Sequence, residues 1–168
     1  YPVLPSELYT ISVASKITQV VELFRLDIVH VHYAVPHTIS AFLARSALGR
    51  EQHPFAVVTT LHGTDITLVG RQPSYFPIVR YAINRSDAVT TVSQWLSDMT
   101  VKEFSTTRPI EVIPNFVDET KFRRGLKPCK RAIYAPFGEK ILLHTSNFRP
   151  VKRVEDVVRI FARVRKEI

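Results

Sequence analysis

Apolar residues recur along the chain with two different spacings, and the combination is typical of an α/β protein. Short, nearly continuous apolar runs predict buried strands at residues 26–32, 55–61, 88–92 and 110–113. Apolar residues three or four positions apart predict helices with one buried face at residues 8–24, 36–48, 75–84 and 94–104. Pro36 is expected to be the first residue of the second helix, and Ser93 the N-cap of the fourth. Because helices and strands alternate, we expect a parallel sheet with right-handed crossovers and helices on both faces.

A basic segment that contains glycine and proline, residues 123–128, separates this pattern from a second one. After it, residues 140–145 predict one strand and residues 154–168 predict one helix. The sequence therefore predicts two domains, residues 1–122 and residues 123–168, divided at this linker. One strand and one helix cannot bury their own apolar faces. We therefore expect the second domain to be the start of a larger unit, and the chain to be a fragment.

Composition narrows the functional classes. The chain has 168 residues, of which 45% are hydrophobic and 23% charged, and these are values of a globular protein. With 23 Lys and Arg against 15 Asp and Glu, the net charge is +8, which suits an anionic ligand, nucleic acid or a membrane surface. No apolar run approaches the roughly 18 residues of a membrane span. Cys129 is the only cysteine, so no internal disulfide can form, and we expect a reducing cytoplasm. The six histidines lack metal-ligand spacing, so no metal site is expected.

Candidate functional residues lie where the predicted strands end. In an open parallel sheet, ligands bind just outside the carboxyl ends of the strands. The second strand runs into residues 59–65, a cluster of hydroxyls with one glycine, the imidazole of His62 and the carboxylate of Asp65. The preceding strand ends with His32 and Tyr33 at the equivalent place. The alternative interpretation is structural, with Asp65 capping the strand end and the imidazoles satisfied by the backbone.

A cationic loop follows the predicted strand of the second domain. Residues 146–153 carry Arg149, Lys152 and Arg153 immediately before a predicted helix. A helix N-terminus offers free N–H groups and a partial positive charge, so this joint is a candidate phosphate site. A solvated basic turn is the alternative. The turn at Pro114 and Asn115 carries little weight by its spacing alone.

Four segments give the chain a resemblance to a known family. It resembles the GT-B-type glycosyltransferases of family 4, over nearly all 168 residues. The segments are LDIVHVHYAVPH at 26–37, TTLHGTDITLVG at 59–70, IPNF at 113–116 and SNFRPVKR at 146–153. In the last segment, Ser146 and Asn147 replace the Gly-Arg pair of most members, whereas Lys152 keeps its place. Arg149 marks the members that glycosylate malate.

The resemblance implies two Rossmann-like domains that face each other across a cleft. It implies transfer of GlcNAc from UDP-GlcNAc to the hydroxyl of L-malate, with retention of the anomeric configuration, as the first step of bacillithiol biosynthesis. The implied donor-binding residues are Asn147, Arg149 and Lys152. The implied acceptor-binding residues are Tyr33, Thr60 and Ser93. A homo-oligomer is compatible with this family, and neither nucleic acid nor membrane is an expected partner.

The same resemblance implies the catalytic roles. His62 would lie beside the transferred sugar, and Arg149 and Lys152 would stabilise the departing UDP. Negative charge develops on that leaving group, and fixed cations directed at it lower the barrier. With these cations in place, neither a metal nor another cofactor is expected.

Two segments of the family pattern are not present in this chain. A glycine-rich loop would precede Tyr1 and a paired-glutamate motif would follow Ile168. Each lost charge-assisted hydrogen bond removes about 1.5–3 kcal/mol of binding, so the loss of three would weaken donor binding roughly a thousandfold or more. We therefore expect the 168 residues alone to be inactive, and the longer protein to be active.

Two other functions remain open on the sequence. A family 4 transferase could instead use a lipid-linked or polysaccharide acceptor, although the basic or apolar docking stretch of such enzymes is missing here. The net charge of +8 would also suit a nucleic-acid-binding module, but the cations are dispersed along the chain.

Overall fold

The computed structural model describes residues 8–49, 55–125 and 129–167, which form two compact units. The first unit ends at Phe116 and the second begins at Val117. The boundary predicted between residues 122 and 123 therefore lies a few residues after the boundary between the two compact units. Residues 126–128 of the predicted linker and Ile168 lie outside the described residues.

The first unit has the predicted alternation of helices and strands. Its elements are α1 Tyr9–Phe24, β1 Ile28–His32, α2 Ile39–Leu48, β2 Ala56–Leu61, α3 Phe76–Arg85, β3 Ala88–Thr91, α4 Gln94–Phe104 and β4 Ile110–Val112. The strands form one parallel sheet in the order β1-β2-β3-β4. The α/β class and the parallel sheet predicted from the sequence are thus confirmed.

Only one face of this sheet is covered by the described helices. The strand residues in the two apolar clusters, among them Val31, Val57, Leu61 and Val89, share one face and pack with residues of α1 to α4. Because the strand order advances in one direction, right-handed crossovers place every connecting helix on the same side. The expectation of helices on both faces is therefore not met in the described residues. The opposite face, called the open face below, carries His30 and the residues in register with it.

The start of α2 differs from the prediction. Pro36 was expected to begin the helix, but the α-helix begins at Ile39, after a π-type turn over Ala34–Thr38. Val35 has an extended conformation, with φ −133° and ψ 143°. A residue before proline is held out of the helical region by contact with the proline ring. The turn carries the chain from the end of β1 into α2.

The second unit contains α5 Arg131–Tyr134, a short 3-10 turn at Pro150–Lys152 and α6 Val154–Glu167. The predicted helix is confirmed. The predicted strand at residues 140–145 is wrong, because this segment has no regular structure. An extended segment becomes a strand only when a neighbour pairs with its backbone groups, and the second unit has no strand among its described residues.

Candidate active site

Two histidines and a tyrosine meet where β1 and β2 end. His32 is the last residue of β1, Tyr33 follows it, and His62 comes directly after β2. Parallel pairing brings these ends to the same edge of the sheet. The Nδ1 atom of His32 lies 2.7 Å from Nε2 of His62, and the ring centroids of Tyr33 and His62 are 5.1 Å apart. The structure therefore brings the predicted residues Tyr33 and His62 together, and His32, at the end of β1, contacts the His62 ring.

The backbone of Tyr33 has an unusual conformation. Its φ is 75° and its ψ 133°, in a region that residues with a Cβ adopt at a cost of about 1–3 kcal/mol. Its N–H donates to the carbonyl of Thr60 at 2.9 Å, and its carbonyl accepts from the Thr38 hydroxyl at 3.1 Å. These bonds hold the conformation, which leaves the Tyr33 side chain partly exposed beside His62. Such held strain is common at functional sites.

Asp65 fixes the loop that carries His62. Its carboxylate is buried and accepts backbone N–H groups from both loops of the site. Oδ2 accepts from Ala34 at 3.1 Å, and Oδ1 accepts from His62 at 3.3 Å and Gly63 at 3.0 Å. Gly63 has a φ of +109°, which favours glycine. The structural interpretation of Asp65 is thus correct, and this carboxylate joins the loop after β1 to the loop after β2.

Thr60 lies on the open face, in a row of polar side chains. Its Oγ1 is 2.7 Å from Nε2 of His30 and 2.6 Å from Oγ1 of Thr90. A hydroxyl has one donor and two acceptor positions, so one position of the buried Thr60 hydroxyl is unused by the described residues. Partial burial, and then the nearby His32 and His62, lower the pKa of His30 below 6.5. The row therefore favours a neutral imidazole at His30.

Ser93 follows β3, the next strand of the sheet, and caps α4. Its Oγ accepts the N–H of Leu96 at 3.3 Å, as the sequence predicts. Its carbonyl accepts from the Thr91 hydroxyl at 3.3 Å. The O–H of Ser93 donates to no atom of the described residues, so it remains a donor for a ligand. A role of Ser93 in acceptor binding stays a prediction.

The cationic loop belongs to the second unit, where Asn147, Arg149 and Lys152 are exposed. Arg153 has a left-handed φ of 49° and pairs with Asp156 in the first turn of α6. Arg149 and Lys152 form no ion pair within residues 129–167 or with the rest of the described chain. Of the three candidate cations, Arg153 therefore stabilises the helix start, and Arg149 and Lys152 are the two that remain for an anion.

Among the residues that the structure describes, no group of three or more His, Cys, Asp or Glu side chains is arranged to hold a metal ion. None of the described helices is both long enough and apolar enough to span a membrane.

Comparison with known proteins identifies the family. Residues 1–121 match Glycosyltransferase Family 4. The chain belongs to glycosyltransferase family 4. Its parallel sheet is accordingly that of a Rossmann-like GT-B glycosyltransferase fragment. This family 4 chain is 43% identical, over 169 aligned residues, to the N-acetyl-alpha-D-glucosaminyl L-malate synthase of Bacillus anthracis. The alignment covers 100% of the chain and 44% of that relative, so the chain spans less than half of the relative's length.

Within this family 4 chain, sequence reasoning missed two side chains beside the site. His30 and Thr90 were not candidates, yet both contact the Thr60 hydroxyl. A usable signal was present for His30, because side chains alternate along a strand and His30 therefore shares a face with His32. Thr90 pairs in register with Thr60, but that register is visible only once the strands are aligned.

Proposed function

We propose that the protein containing this family 4 chain transfers N-acetylglucosamine from UDP-GlcNAc to the hydroxyl of L-malate, with retention at the anomeric carbon, in bacillithiol biosynthesis. The observation that carries the proposal is the 43% identity, along the whole chain, to an enzyme named for this product. Because the chain spans 44% of that relative, the proposal concerns the longer protein. The chemistry of the described side chains supports it at three points.

The first point is the charge available to the leaving group. Transfer breaks the bond between the anomeric carbon and the UDP oxygen, and negative charge develops on the diphosphate. Arg149 and Lys152 are exposed and form no ion pair in the described residues. Guanidinium and ammonium groups both bind phosphate oxygens, the former with two parallel donors. In this proposal they hold the diphosphate, and Asn147 adds an amide donor or acceptor.

The second point is the fixed imidazole of His62. Its backbone N–H is bound to the buried Asp65 carboxylate, and its ring is bound to His32. A group held at both ends loses little freedom when a sugar binds beside it, which is the condition for effective positioning. In this proposal His62 hydrogen-bonds to the transferred sugar.

The third point is the supply of hydrogen-bond donors for the acceptor. L-Malate carries two carboxylates and one hydroxyl, and carboxylates accept hydrogen bonds. Ser93 has an O–H that donates to no described atom, Thr60 has one hydrogen-bonding position left, and the side chain of Tyr33 is partly exposed. In this proposal these three side chains bind malate.

Acceptor competition tests the proposal directly. The longer protein is supplied with UDP-GlcNAc and UDP release is measured with L-malate, inositol phosphate, a lipid-linked acceptor or a polysaccharide. We expect rapid release with malate alone, and NMR of the product should show the α-anomer. Release that is faster with a lipid or polysaccharide acceptor would assign a different family 4 reaction. The isolated 168 residues are expected to show no turnover.

A charge-removing variant tests the donor site. Lys152→Gln should lower kcat by about a hundredfold, because a donor directed at the developing charge is lost. Lys166→Gln is the matched control, since Lys166 is an exposed lysine of the same unit, in the last turn of α6. Equal activities of the two variants would remove Lys152 from the donor site.

A further inference from the structure

A short contact between two imidazoles joins the end of β1 to the loop after β2. Nδ1 of His32 and Nε2 of His62 are 2.7 Å apart, with the ring planes inclined by 38°. Two nitrogens approach this closely only when a proton lies between them, so one ring donates and the other accepts. The two rings are 30 residues apart in the chain.

This contact restricts the protonation states of His62. If both rings were fully protonated, two N–H groups would point at each other, so the contact exists only while one of the two facing nitrogens carries no proton. With one excess proton, Nδ1 of His62 carries a proton whichever ring is the imidazolium. If His62 is charged, both its nitrogens are protonated; if His32 is charged, its Nδ1–H occupies the lone pair of Nε2 and leaves the His62 proton on Nδ1. In the neutral pair, the proton of the His62 ring is on Nδ1 when His32 donates the hydrogen bond. It is on Nε2 when His32 accepts the hydrogen bond.

His32 is the more firmly held partner. It lies in β1, in register with Thr60 of β2. Its carbonyl accepts from Nδ1 of His37 at 2.7 Å, and Nε2 of His37 lies 3.1 Å from the hydroxyl of Tyr9. His62 lies in a loop, and the described contacts of its ring are those with His32 and Tyr33. The strand therefore offers a fixed point from which the His62 ring can be oriented.

We propose that His32 is a positioning residue for the transfer reaction, which orients the His62 ring through the Nδ1–Nε2 hydrogen bond and couples the tautomer of His62 to its own. The inference rests on the proposed function, in which His62 hydrogen-bonds to the transferred sugar. It assigns to His32 no contact with substrate. The oxygen atoms of a sugar donate and accept, so the tautomer of His62 decides which of them it can bind.

The surroundings of the pair contain few other titratable groups. His30 lies on β1 with its ring centroid 4.8 Å from that of His32, and Tyr33 lies on the other side, against His62. From the loop after β2, Asp65 faces the backbone of His62 and its bonds are to backbone N–H groups. Asp65 therefore bonds to neither imidazole ring. The hydrogen-bond partner of the His62 ring in the described residues is His32, and Tyr33 packs against it.

Nitrogen NMR on the protein labelled at histidine tests the hydrogen bond itself. We expect a 15N–15N coupling between Nδ1 of His32 and Nε2 of His62, with one of these two nitrogens protonated and the other not. His144, which bonds to Ser146, serves as an internal reference. Absence of the coupling, with His62 showing the same averaged tautomers as a free imidazole, would overturn the inference whatever the enzyme's activity.

Two substitutions separate positioning from packing. His32→Asn retains a polar nitrogen near the position of Nδ1, whereas His32→Phe keeps a ring and removes the nitrogen. We expect His32→Phe to average the His62 tautomers and to lower kcat by about 10- to 100-fold, with the KM for malate little changed. His32→Asn should retain most of the kcat and most of the tautomer preference of His62. A His32→Phe variant with unchanged kcat and unchanged His62 spectrum would contradict the role.

The two proposals can fail separately. If UDP release requires an acceptor other than malate but the coupling and the kcat effects are found with that acceptor, His32 remains a positioning residue and the proposed acceptor is wrong. If malate is the acceptor and the coupling is absent, the function stands and the role of His32 does not.

Discussion

Replacing Asp65 by alanine should destabilise the first unit by about 3–5 kcal/mol. The residue is 2% exposed, and its carboxylate accepts three backbone N–H groups, from Ala34, Gly63 and His62, at 3.1, 3.0 and 3.3 Å. A hydrogen bond to a charged group contributes about 1.5–3 kcal/mol. The longest of the three counts least, and bonds that share one carboxylate are not additive. Two full bonds would contribute about 3–6 kcal/mol, and the lack of additivity lowers the upper end to about 5 kcal/mol.

Asparagine is the matched variant at this position. Asp65→Asn keeps the volume and one acceptor oxygen, but its NH₂ group must face one of the backbone N–H groups, so we expect a loss of about 1.5–3 kcal/mol. Asp98 is an exposed residue of α4 whose side chain accepts from Gln94 and from no other residue that the structure describes. Asp98→Ala should cost less than about 0.5 kcal/mol.

Urea unfolding followed by circular dichroism measures these losses. With a slope of about 1–3 kcal/mol per molar urea, Asp65→Ala should lower the unfolding midpoint by on the order of 2 M. The reasoning is refuted if Asp65→Ala unfolds within about 1 kcal/mol of the unchanged protein, or if it is no less stable than the Asp98→Ala control.

Three further predictions use the same unfolding measurement. Gly70→Ala should cost about 2–3 kcal/mol, because a Cβ there would overlap the carbonyl oxygen of Asp65 and lie 2.7 Å from Cζ of Phe104; a loss below 1 kcal/mol would contradict this. Ser93→Ala should cost about 1 kcal/mol through the lost N-cap, whereas Ser93→Asp should retain the stability; equal losses would argue against the cap. Burial, and then two neighbouring imidazoles, lower the pKa of His30 below 6.5. Just below pH 6.5 the unfolded chain therefore binds more protons at this histidine than the folded chain does, and the free energy of unfolding falls as the pH drops through that window. His30→Asn should reduce the stability difference between pH 7.5 and pH 5.5, and an undiminished difference would refute this assignment.

Local patterns were sufficient to predict most elements of the first unit. Burial of one helix face or of a whole strand leaves its period in the sequence, so α1, α3, α4 and the four strands were predicted nearly at their observed positions. The cap at Ser93 was equally predictable, because a side chain and an N–H three residues away make the bond. These features depend on residues that are close together in the chain.

The errors came from interactions that no local pattern contains. Apolar residues at 140–145 match a strand, yet a strand depends on pairing with another segment. Pro36 suits the first turn of a helix, but α2 begins at Ile39, after a turn whose Ala34 N–H bonds to the distant Asp65 carboxylate. The site shows the same limit, since Ala34 and Asp65 are 31 residues apart and His30 and Thr60 are 30 residues apart. Residue types indicated a site at this sheet edge, whereas their partners required the fold.

If Tyr33 and His62 act as proposed, stability and activity are linked at this sheet edge, because the same bonds serve both. The conformation of Tyr33 costs about 1–3 kcal/mol, and it persists because Thr60 and Thr38 bind its backbone and Asp65 binds the N–H of the next residue. Weakening any of these bonds would let Tyr33 relax to an ordinary conformation and move its ring away from His62. Activity would then fall in variants that are still folded. Kinetic comparisons of such variants therefore need the folded fraction measured under the same conditions, and a loss of kcat without unfolding marks a change in the geometry of Tyr33 and His62.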